Sequence, residues 1–347
     1  MAVTHMPSEN RWAAFRRRLK ESRTAWLYIL PAGLVMLLIT LLPQLYQIWM
    51  SFYDYRVKNL RFILFDASTW EKYMPTFVGL ENYIKILTNE LAKSVESFDF
   101  WRLLLFNVTW TFTNLFFHVT LGVLIALALN SKNLIGRRVY RALFVLPWAV
   151  PGYITALTWR NMYDDRFGAF NQLAGVINTW LGTNLPTDTR WLTVTDPPVG
   201  GLLGFLPLAF YCLLLANVWL GWPFMSVVAT GALQSIPAEL YEAASIDGAS
   251  GWQKLRKITL PLIRPAMVPA IMLGTIMTFN QFNVIFFISQ GGPFGRTEIL
   301  VTQSFKLVYN QRLYGVAAAF GFVVFFVLFI ITLAQNRVTR ATEAYYV

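Results

Sequence analysis

Long apolar stretches recur along the chain, and the segments between them hold every charged residue. A helix that crosses a hydrocarbon core of about 30 Å needs roughly 20 apolar residues. The stretches that qualify are 26–51, 103–129, 142–159, 202–230, 266–287 and 315–333. None of them contains Asp, Glu, Lys or Arg, so all 47 such residues fall in the two tails and five loops. The pattern predicts an all-α, polytopic membrane protein with six transmembrane helices.

Composition agrees with this interpretation and limits the possible chemistry. Of the 347 residues, 56% are hydrophobic and 14% are charged. The single cysteine, Cys212, excludes an intramolecular disulfide and a Cys-based metal cage. The two histidines, His5 and His118, are too far apart for a paired ligand motif, so we predict no metal site. In the second stretch, His118 is expected to form a hydrogen bond with a neighbouring helix.

The distribution of basic residues predicts the orientation. Taken as the cytoplasmic side, segments 1–25, 130–141, 231–265 and 334–347 hold 16 Lys and Arg in 86 residues, whereas the opposite segments hold 13 in 120. Lys and Arg collect in cytoplasmic loops, so both termini are predicted to be cytoplasmic. This topology explains the net charge of +11 without a nucleic-acid partner.

The predicted organisation follows from these boundaries. Its parts are a cytoplasmic basic tail (1–25), a first transmembrane helix (26–51), an outer loop (52–102), a five-helix core (103–333) and a cytoplasmic tail (334–347).

The cytoplasmic loop 231–265 is too regular for a solvated linker. Pro237 lies in the first turn of one predicted helix, and Gly248 can end that helix in a left-handed cap. Ser250 and Gln253 have the spacing of a capping box for a second short helix, which Leu260-Pro261 is expected to end. Two short helices on the cytoplasmic face suit a docking surface.

The same loop resembles a known motif. Glu242-Ala243-Ala244, then three residues and Gly248, then nine residues and Ile258-Thr259-Leu260-Pro261, is similar to the EAA loop of permease subunits in binding-protein-dependent ABC importers. The resemblance implies the type I importer permease fold and the docking of two cytoplasmic ATPase subunits. The coupling residues that it implies are Glu242, Ala243, Ala244, Gly248, Ile258, Leu260 and Pro261.

The chain itself lacks the means to bind ATP by a phosphate loop. It contains no Gly-Lys dipeptide, which such a loop requires. We therefore expect no cofactor and no catalytic residue in this chain, with ATP and Mg²⁺ bound by the partner ATPase.

Further stretches resemble the carbohydrate branch of this family, in particular its maltose-type subunits. They are 77–83, 146–151, 217–223 and 291–293. The resemblance implies a second permease as heterodimer partner, an extracytoplasmic sugar-binding protein and location in the cell inner membrane. The sugar contacts that it implies are Trp148, Gly152, Asn217, Leu220, Gly221, Phe224, Gly274, Thr278 and Gln281.

Several alternatives remain open. Gly274 and Thr278 depart from the maltose pattern, which has serine and asparagine there, so the particular disaccharide or oligosaccharide is undetermined. Polar residues and glycines within spans can also serve helix packing alone. A permease for another solute, such as glycerol phosphate, would favour a basic site. An intramembrane lipid-linked sugar transferase would need charged or metal-binding residues at the membrane surface.

Overall fold

The computed structural model describes residues 12, 22–63, 65–95, 97–131 and 134–339. Most of the predicted tail 1–25, and residues 340–347 of the predicted tail 334–347, lie outside the described residues.

Helices dominate the described chain. From residue 22 onward they are α1 (Arg23–Met36), α2 (Leu42–Ser51), α3 (Trp70–Tyr73), α4 (Glu81–Leu87), α5 (Phe100–Leu129), α6 (Arg137–Ala149), α7 (Gly152–Met162), α8 (Ala169–Leu181), α9 (Leu208–Gln234), α10 (Ala238–Ile246), α11 (Gly251–Lys254), α12 (Leu260–Phe279), α13 (Phe282–Val284), α14 (Leu300–Tyr309) and α15 (Tyr314–Thr339). Short 3₁₀ turns occupy Val57–Arg61, Ala67–Thr69, Glu90–Lys93 and Gly201–Leu203, and π-helical turns occupy Leu37–Leu41, Leu255–Thr259 and Ile285–Ser289.

The six predicted spans correspond to helices of the described residues, and the third and fifth of them are interrupted. Five helical stretches are long and apolar enough to cross a membrane, and the pair α6 and α7 adds a bent sixth. The first of them, Arg23–Ser51, includes α1, a π-helical turn and α2, and the side chains of α1 are all exposed. The prediction of an all-α membrane protein is therefore confirmed.

The third predicted span, 142–159, is not one helix. It is broken between α6 and α7, whose axes differ by 90°. Val150 has extended backbone angles, as expected for a residue that precedes a proline, and Pro151 has no N–H to continue the helical hydrogen bonds. Trp148 and Gly152 therefore lie on opposite sides of a sharp bend.

The outer loop 52–102 folds into a small layer of its own. Strands β1 (Tyr53–Asp54) and β2 (Thr76–Phe77) pair antiparallel; α3 lies between them in sequence and α4 follows β2. Asn82 Nδ2 donates hydrogen bonds to the carbonyl oxygens of Ser51 (2.9 Å) and Tyr53 (3.0 Å), which fastens α4 to the end of α2. The Gly315 N–H donates to the Tyr55 carbonyl at 3.0 Å, so the layer also rests on the start of α15.

The two helices predicted within loop 231–265 are present as α10 and α11. Gly248 has a φ of 76°, the left-handed conformation that glycine adopts without a side-chain clash. At α11 the Ser250 N–H donates to Gln253 Oε1 at 2.7 Å, and the Gln253 N–H donates to Ser250 Oγ at 3.3 Å. The predicted capping box and glycine turn are therefore both formed.

The expectation that Leu260-Pro261 ends the second helix is wrong. The chain continues from α11 through the π-helical turn Leu255–Thr259 directly into α12. Pro261 lies in the first turn of α12, where a missing N–H is tolerated. Helix α11, the π-helical turn and α12 thus form one continuous helical rod.

Helices α5 and α9 form the centre of the described bundle, and α12 packs beside them. Residues such as Trp110 and Leu213 are fully buried at this contact region. The segment after α12 is fixed by a buried charge, because Glu298 is 3% exposed and pairs with Lys306. Glu298 Oε2 also accepts the Thr302 hydroxyl at 2.5 Å.

We expect Lys306→Met to lower the melting temperature of the detergent-solubilised protein clearly. It leaves the Glu298 carboxylate buried without its cation, which costs about 3 kcal/mol in comparable buried pairs. The matched control is Lys85→Met, which removes an exposed pair with Glu81 at 2.5 Å and should cost less than about 0.5 kcal/mol. Equal melting temperatures for the two variants would contradict the structural role of the buried pair.

Candidate functional site: a membrane cavity and a coupling elbow

All nine residues predicted to contact the solute border one cavity. It has a volume of about 350 Å³ and is bounded by α5, α6, α7, α9 and α12. Five further residues, which no sequence pattern indicated, also line this cavity: His118, Val150, Met225, Leu273 and Met277. None of the 14 described residues that line it is Asp, Glu, Lys or Arg. Their role in binding remains a prediction, but the structure does bring them together.

An aromatic surface forms one side of the cavity. The rings of Trp148 and Phe224 lie 5.9 Å apart between centroids, at an interplanar angle of 41°. Trp148 comes from the last turn of α6, just before the bend, and 53% of it is exposed. The bend therefore presents a broad indole face to the cavity.

The polar groups that border the cavity differ in their freedom to bind a solute. Asn217 Nδ2 donates to Asn114 Oδ1 at 2.8 Å, and Asn217 Oδ1 accepts from Gln281 Nε2 at 3.0 Å. Asn217 is only 1% exposed, so its amide mainly joins α9 to α5 and to Gln281. Within the described chain the Thr278 hydroxyl and Gln281 Oε1 form no hydrogen bond. These two groups, together with Trp148 Nε1, are the side-chain polar atoms of the predicted set that form no hydrogen bond among the described residues.

The position of Gln281 depends on an interruption of the fifth span. Helix α12 ends at Phe279, and its last carbonyl groups have no partner within the helix. Trp110 Nε1 donates to the Thr278 carbonyl at 3.2 Å, and Asn107 Nδ2 donates to the Phe279 carbonyl at 3.1 Å. Sequence reasoning missed Asn107, Trp110 and Asn114. Their regular spacing along one face of an apolar helix was the available signal.

His118 forms the interhelical hydrogen bond that the sequence predicts. Its Nε2 donates to the Asn217 carbonyl at 3.0 Å. Gly221 makes this contact possible, because a Cβ atom at that position would overlap the imidazole ring. A Cβ atom at Gly274 would approach Met225 Cε to 2.6 Å. For these two glycines, helix packing explains the residue type.

The residues predicted to couple to an ATPase lie along α10 and along the continuous helix formed by α11 and α12. Glu242, Ala243 and Gly248 are exposed, whereas Ala244 and Ile258 are half-buried. Leu260 and Pro261 are exposed at the start of α12. Sequence reasoning missed two large apolar residues on the same surface, Ile246 (88% exposed) and Trp252 (68% exposed).

Two hydrogen bonds fix the angle between α10 and the rod. The hydroxyls of Tyr241 and Thr259 lie 2.9 Å apart, and Lys254 Nζ donates to Ser245 Oγ at 2.6 Å. Because α11 continues into α12, these hydrogen bonds join α10 to a helix whose far end carries Thr278. One continuous helix therefore links the loop to the cavity.

Comparison with known proteins agrees with this geometry. Residues 118–343 match the family described as "Binding-protein-dependent transport system inner membrane component". The chain is 32% identical over 327 residues to the trehalose/maltose transport system permease protein MalF of Thermococcus litoralis, covering 93% of this chain and 96% of that protein. It is 36% identical over 274 residues to the galactooligosaccharides transport system permease protein GanP of Bacillus subtilis, covering 76% of this chain and 60% of that protein.

A solved structure supports the fold independently. A subunit of a bacterial ABC transporter involved in the import of the acidic polysaccharide alginate aligns with a TM-score of 0.71, over 95% of this chain and 99% of that chain, at 20% identity. The chain belongs to the family of binding-protein-dependent transport system inner membrane components. The predicted importer permease class and its fold are therefore confirmed.

We expect Gly221→Ala to destabilise the protein, because the added methyl group would displace the His118 ring from its hydrogen bond. Overpacking of this kind costs about 1–3 kcal/mol. Gly231→Ala is the matched control on the same helix, since a Cβ there has no atom within 4 Å. Thermal melts of both variants in detergent test this expectation, and unchanged melting of Gly221→Ala would show that the ring can shift without loss.

Proposed function

We propose that this chain forms half of the translocation pathway of an ATP-driven sugar importer, with a disaccharide or oligosaccharide as the solute. The observation that carries the proposal is the uncharged cavity in which all nine predicted contacts meet. The relatives named above are permeases for trehalose and maltose and for galactooligosaccharides, which supports a sugar substrate.

The chemistry of the cavity suits a neutral sugar. The C–H face of a pyranose stacks on an aromatic surface such as Trp148 with Phe224. Hydroxyl groups of the sugar can pair with the Thr278 hydroxyl and with Gln281 Oε1. A phosphate-bearing solute such as glycerol phosphate, or an acidic polysaccharide, would favour Lys or Arg in the lining. The composition of the cavity disfavours both.

The coupling residues support a separate source of energy. In this proposal two cytoplasmic ABC ATPase subunits dock on loop 231–265 and hydrolyse ATP with Mg²⁺, and the chain has no catalytic site of its own. The Glu242 carboxylate and the exposed Ile246 and Trp252 offer a charged and an apolar contact for that partner. Membership of a transporter family weighs against the alternative of a lipid-linked sugar transferase.

The remaining partners follow from the same reasoning. A second, different permease completes the pathway, and an extracytoplasmic binding protein delivers the sugar to the outer loops. The chain is placed in the cell inner membrane as a multi-pass protein with both termini cytoplasmic. Closure of the ATPases moves α10, and the continuous rod from α11 to α12 carries that movement to the cavity.

The cavity is tested by Trp148→Ala and Thr278→Val, assayed for sugar uptake by the assembled transporter. Trp148→Ala removes the stacking face, and Thr278→Val removes a hydroxyl at almost constant volume. A lost hydrogen bond of about 1.4 kcal/mol corresponds to a tenfold change in affinity. We expect uptake at low sugar concentration to fall about fivefold to tenfold in each variant, while ATP hydrolysis stimulated by the binding protein persists.

Conservative replacements separate binding from folding in this test. Trp148→Phe keeps an aromatic face and Thr278→Ser keeps the hydroxyl, so both should retain most of the uptake. Normal uptake by both Trp148→Ala and Thr278→Val would mean that the solute binds elsewhere.

The turn at Gly248 between α10 and α11, which we call the coupling elbow, is tested by Gly248→Val. This change forces a branched side chain into the left-handed region at a cost of about 1–2 kcal/mol. We expect the variant to remain in the membrane but to co-purify with less ATPase and to transport slowly. Gly251→Ala is the control, because it lies in the same loop, has ordinary backbone angles and has no atom near its Cβ. Should Gly248→Val transport and co-purify normally, the loop would not be the coupling element.

A further inference from the structure

A second cavity lies on another face of α9 and does not belong to the sugar path described above. Its volume is about 300 Å³, and α6 and the final residue of α5 complete its wall. Trp222, Ser226 and Thr230 follow one another at intervals of four residues along α9, so they share one face. Gln234, at the end of the same helix, also borders this cavity.

A half-buried arginine without a counter-charge lines this cavity. The Nε and Nη2 atoms of Arg141 are shielded from solvent and have no hydrogen-bond partner within the described chain. The side chains of Ser226, Thr230 and Gln234 likewise form no hydrogen bond in the described residues. No Asp or Glu is among the described residues that line the cavity. Shielding two guanidinium nitrogens from water without a hydrogen-bond partner is costly, so the arrangement favours an anion next to Arg141.

The positions of neighbouring arginines show that charge at this end of the bundle does not require burial. Arg137 and Arg138, in the first turn of α6, are exposed, as expected of residues that serve topology alone. Arg141 lies one turn further along the same helix and borders the cavity together with Phe144. Its Nε and Nη2 atoms are shielded from solvent, which distinguishes it from these exposed neighbours.

We propose that this cavity binds a phosphate group. Two adjacent N–H groups of a guanidinium match two phosphate oxygens, and the hydroxyls of Ser226 and Thr230 with the Gln234 amide can serve the remaining oxygens. This donor set exceeds what a single carboxylate needs. The apolar walls, including Phe144 and Trp222, would accommodate the carbon chain of a phosphodiester.

The location within the bundle identifies two sources of such a group. Leu129 and Gln234 are the last residues of α5 and α9, so the cavity opens at the end of the spans that also carries loop 231–265. Headgroups of anionic lipids lie at that depth of a bilayer, and free phosphate reaches it from the adjoining solution. Both sources supply the same chemistry. The proposal does not depend on which solute the transporter carries.

The test uses the full-length chain, purified alone and as the assembled transporter in neutral detergent. Native mass spectrometry counts retained dioleoylphosphatidylglycerol, with dioleoylphosphatidylcholine as the zwitterionic comparison. Melting temperatures are measured with each lipid and with inorganic phosphate. We expect the anionic lipid or inorganic phosphate to bind and to raise the melting temperature, and Arg141→Gln to reduce binding at least fivefold.

Matched variants separate this site from general charge effects and from misfolding. Arg138→Gln removes the same charge from the exposed surface of the same helix and should bind as the wild type does. Thr230→Val, which is nearly isosteric, should weaken binding about threefold to tenfold without changing the fold. Arg141→Lys keeps the positive charge but lacks the two parallel N–H donors of a guanidinium, so its binding should be intermediate.

Each outcome bears on the proposal. Arg141-dependent binding of phosphatidylglycerol alone identifies a lipid site, and Arg141-dependent binding of inorganic phosphate identifies a soluble ligand. Equal binding by Arg138→Gln and Arg141→Gln would overturn the proposal. It would also be overturned if neither probe bound and Arg141→Gln destabilised only the complex with the second permease. That result would assign Arg141 to a carboxylate of that partner, and sugar uptake would still test the proposed function separately.

Discussion

The cavity depends on the interruption of the fifth span after Phe279, where side chains of a neighbouring helix satisfy the last carbonyl groups of α12. In a hydrocarbon environment an unpaired carbonyl group costs several kcal/mol, so a break persists only where protein or water covers it. The side chains of helix α5 shield the end of α12 and donate hydrogen bonds to it. Its buried residues Asn107 and Trp110 donate to the last carbonyls of α12, and His118 donates to a carbonyl of α9. Without α5 beside it, the end of α12 would lose these hydrogen-bond partners.

The polar residues on this face of α5 also join the end of α12 to the next segment of the chain. Asn107 Oδ1 accepts the Leu300 N–H at 2.8 Å, so one amide links the end of α12 to the start of α14. Asn114 accepts a hydrogen bond from the Asn217 amide, and Asn217 in turn accepts one from the Gln281 amide. Polar residues within spans therefore act in two ways here. Some, such as Asn107, donate hydrogen bonds to backbone carbonyl groups. Others, such as Thr278, have a side chain without a hydrogen-bond partner among the described residues and are available to the proposed solute.

Features governed by neighbours in sequence were predictable, and features governed by distant contacts were not. The apolar stretches predicted the membrane-spanning helices. The position of Gly248 predicted the end of α10, and the spacing of Ser250 and Gln253 predicted the start of α11. The break at Pro151 and the continuation past Pro261 differ only in context. A proline can interrupt a helix or occupy its first turn, and the packing around it decides which occurs. The partnership of Asn114 with Asn217 joins residues 103 positions apart, which no local pattern reveals.

The departure from the maltose pattern at Gly274 has a physical explanation in the packing beside it. The terminal methyl of Met225 occupies the space into which a side chain at residue 274 would extend, so glycine and methionine fit as a pair. A serine hydroxyl at that position would add a polar group to the cavity wall, whereas the methionine contributes an apolar, adaptable surface. In the sugar site that we propose, hydrogen bonding to the solute falls chiefly to Thr278 and Gln281, while Trp148 and Phe224 supply the contact area. A site of this kind selects the ring faces of a sugar more strongly than the arrangement of its hydroxyl groups.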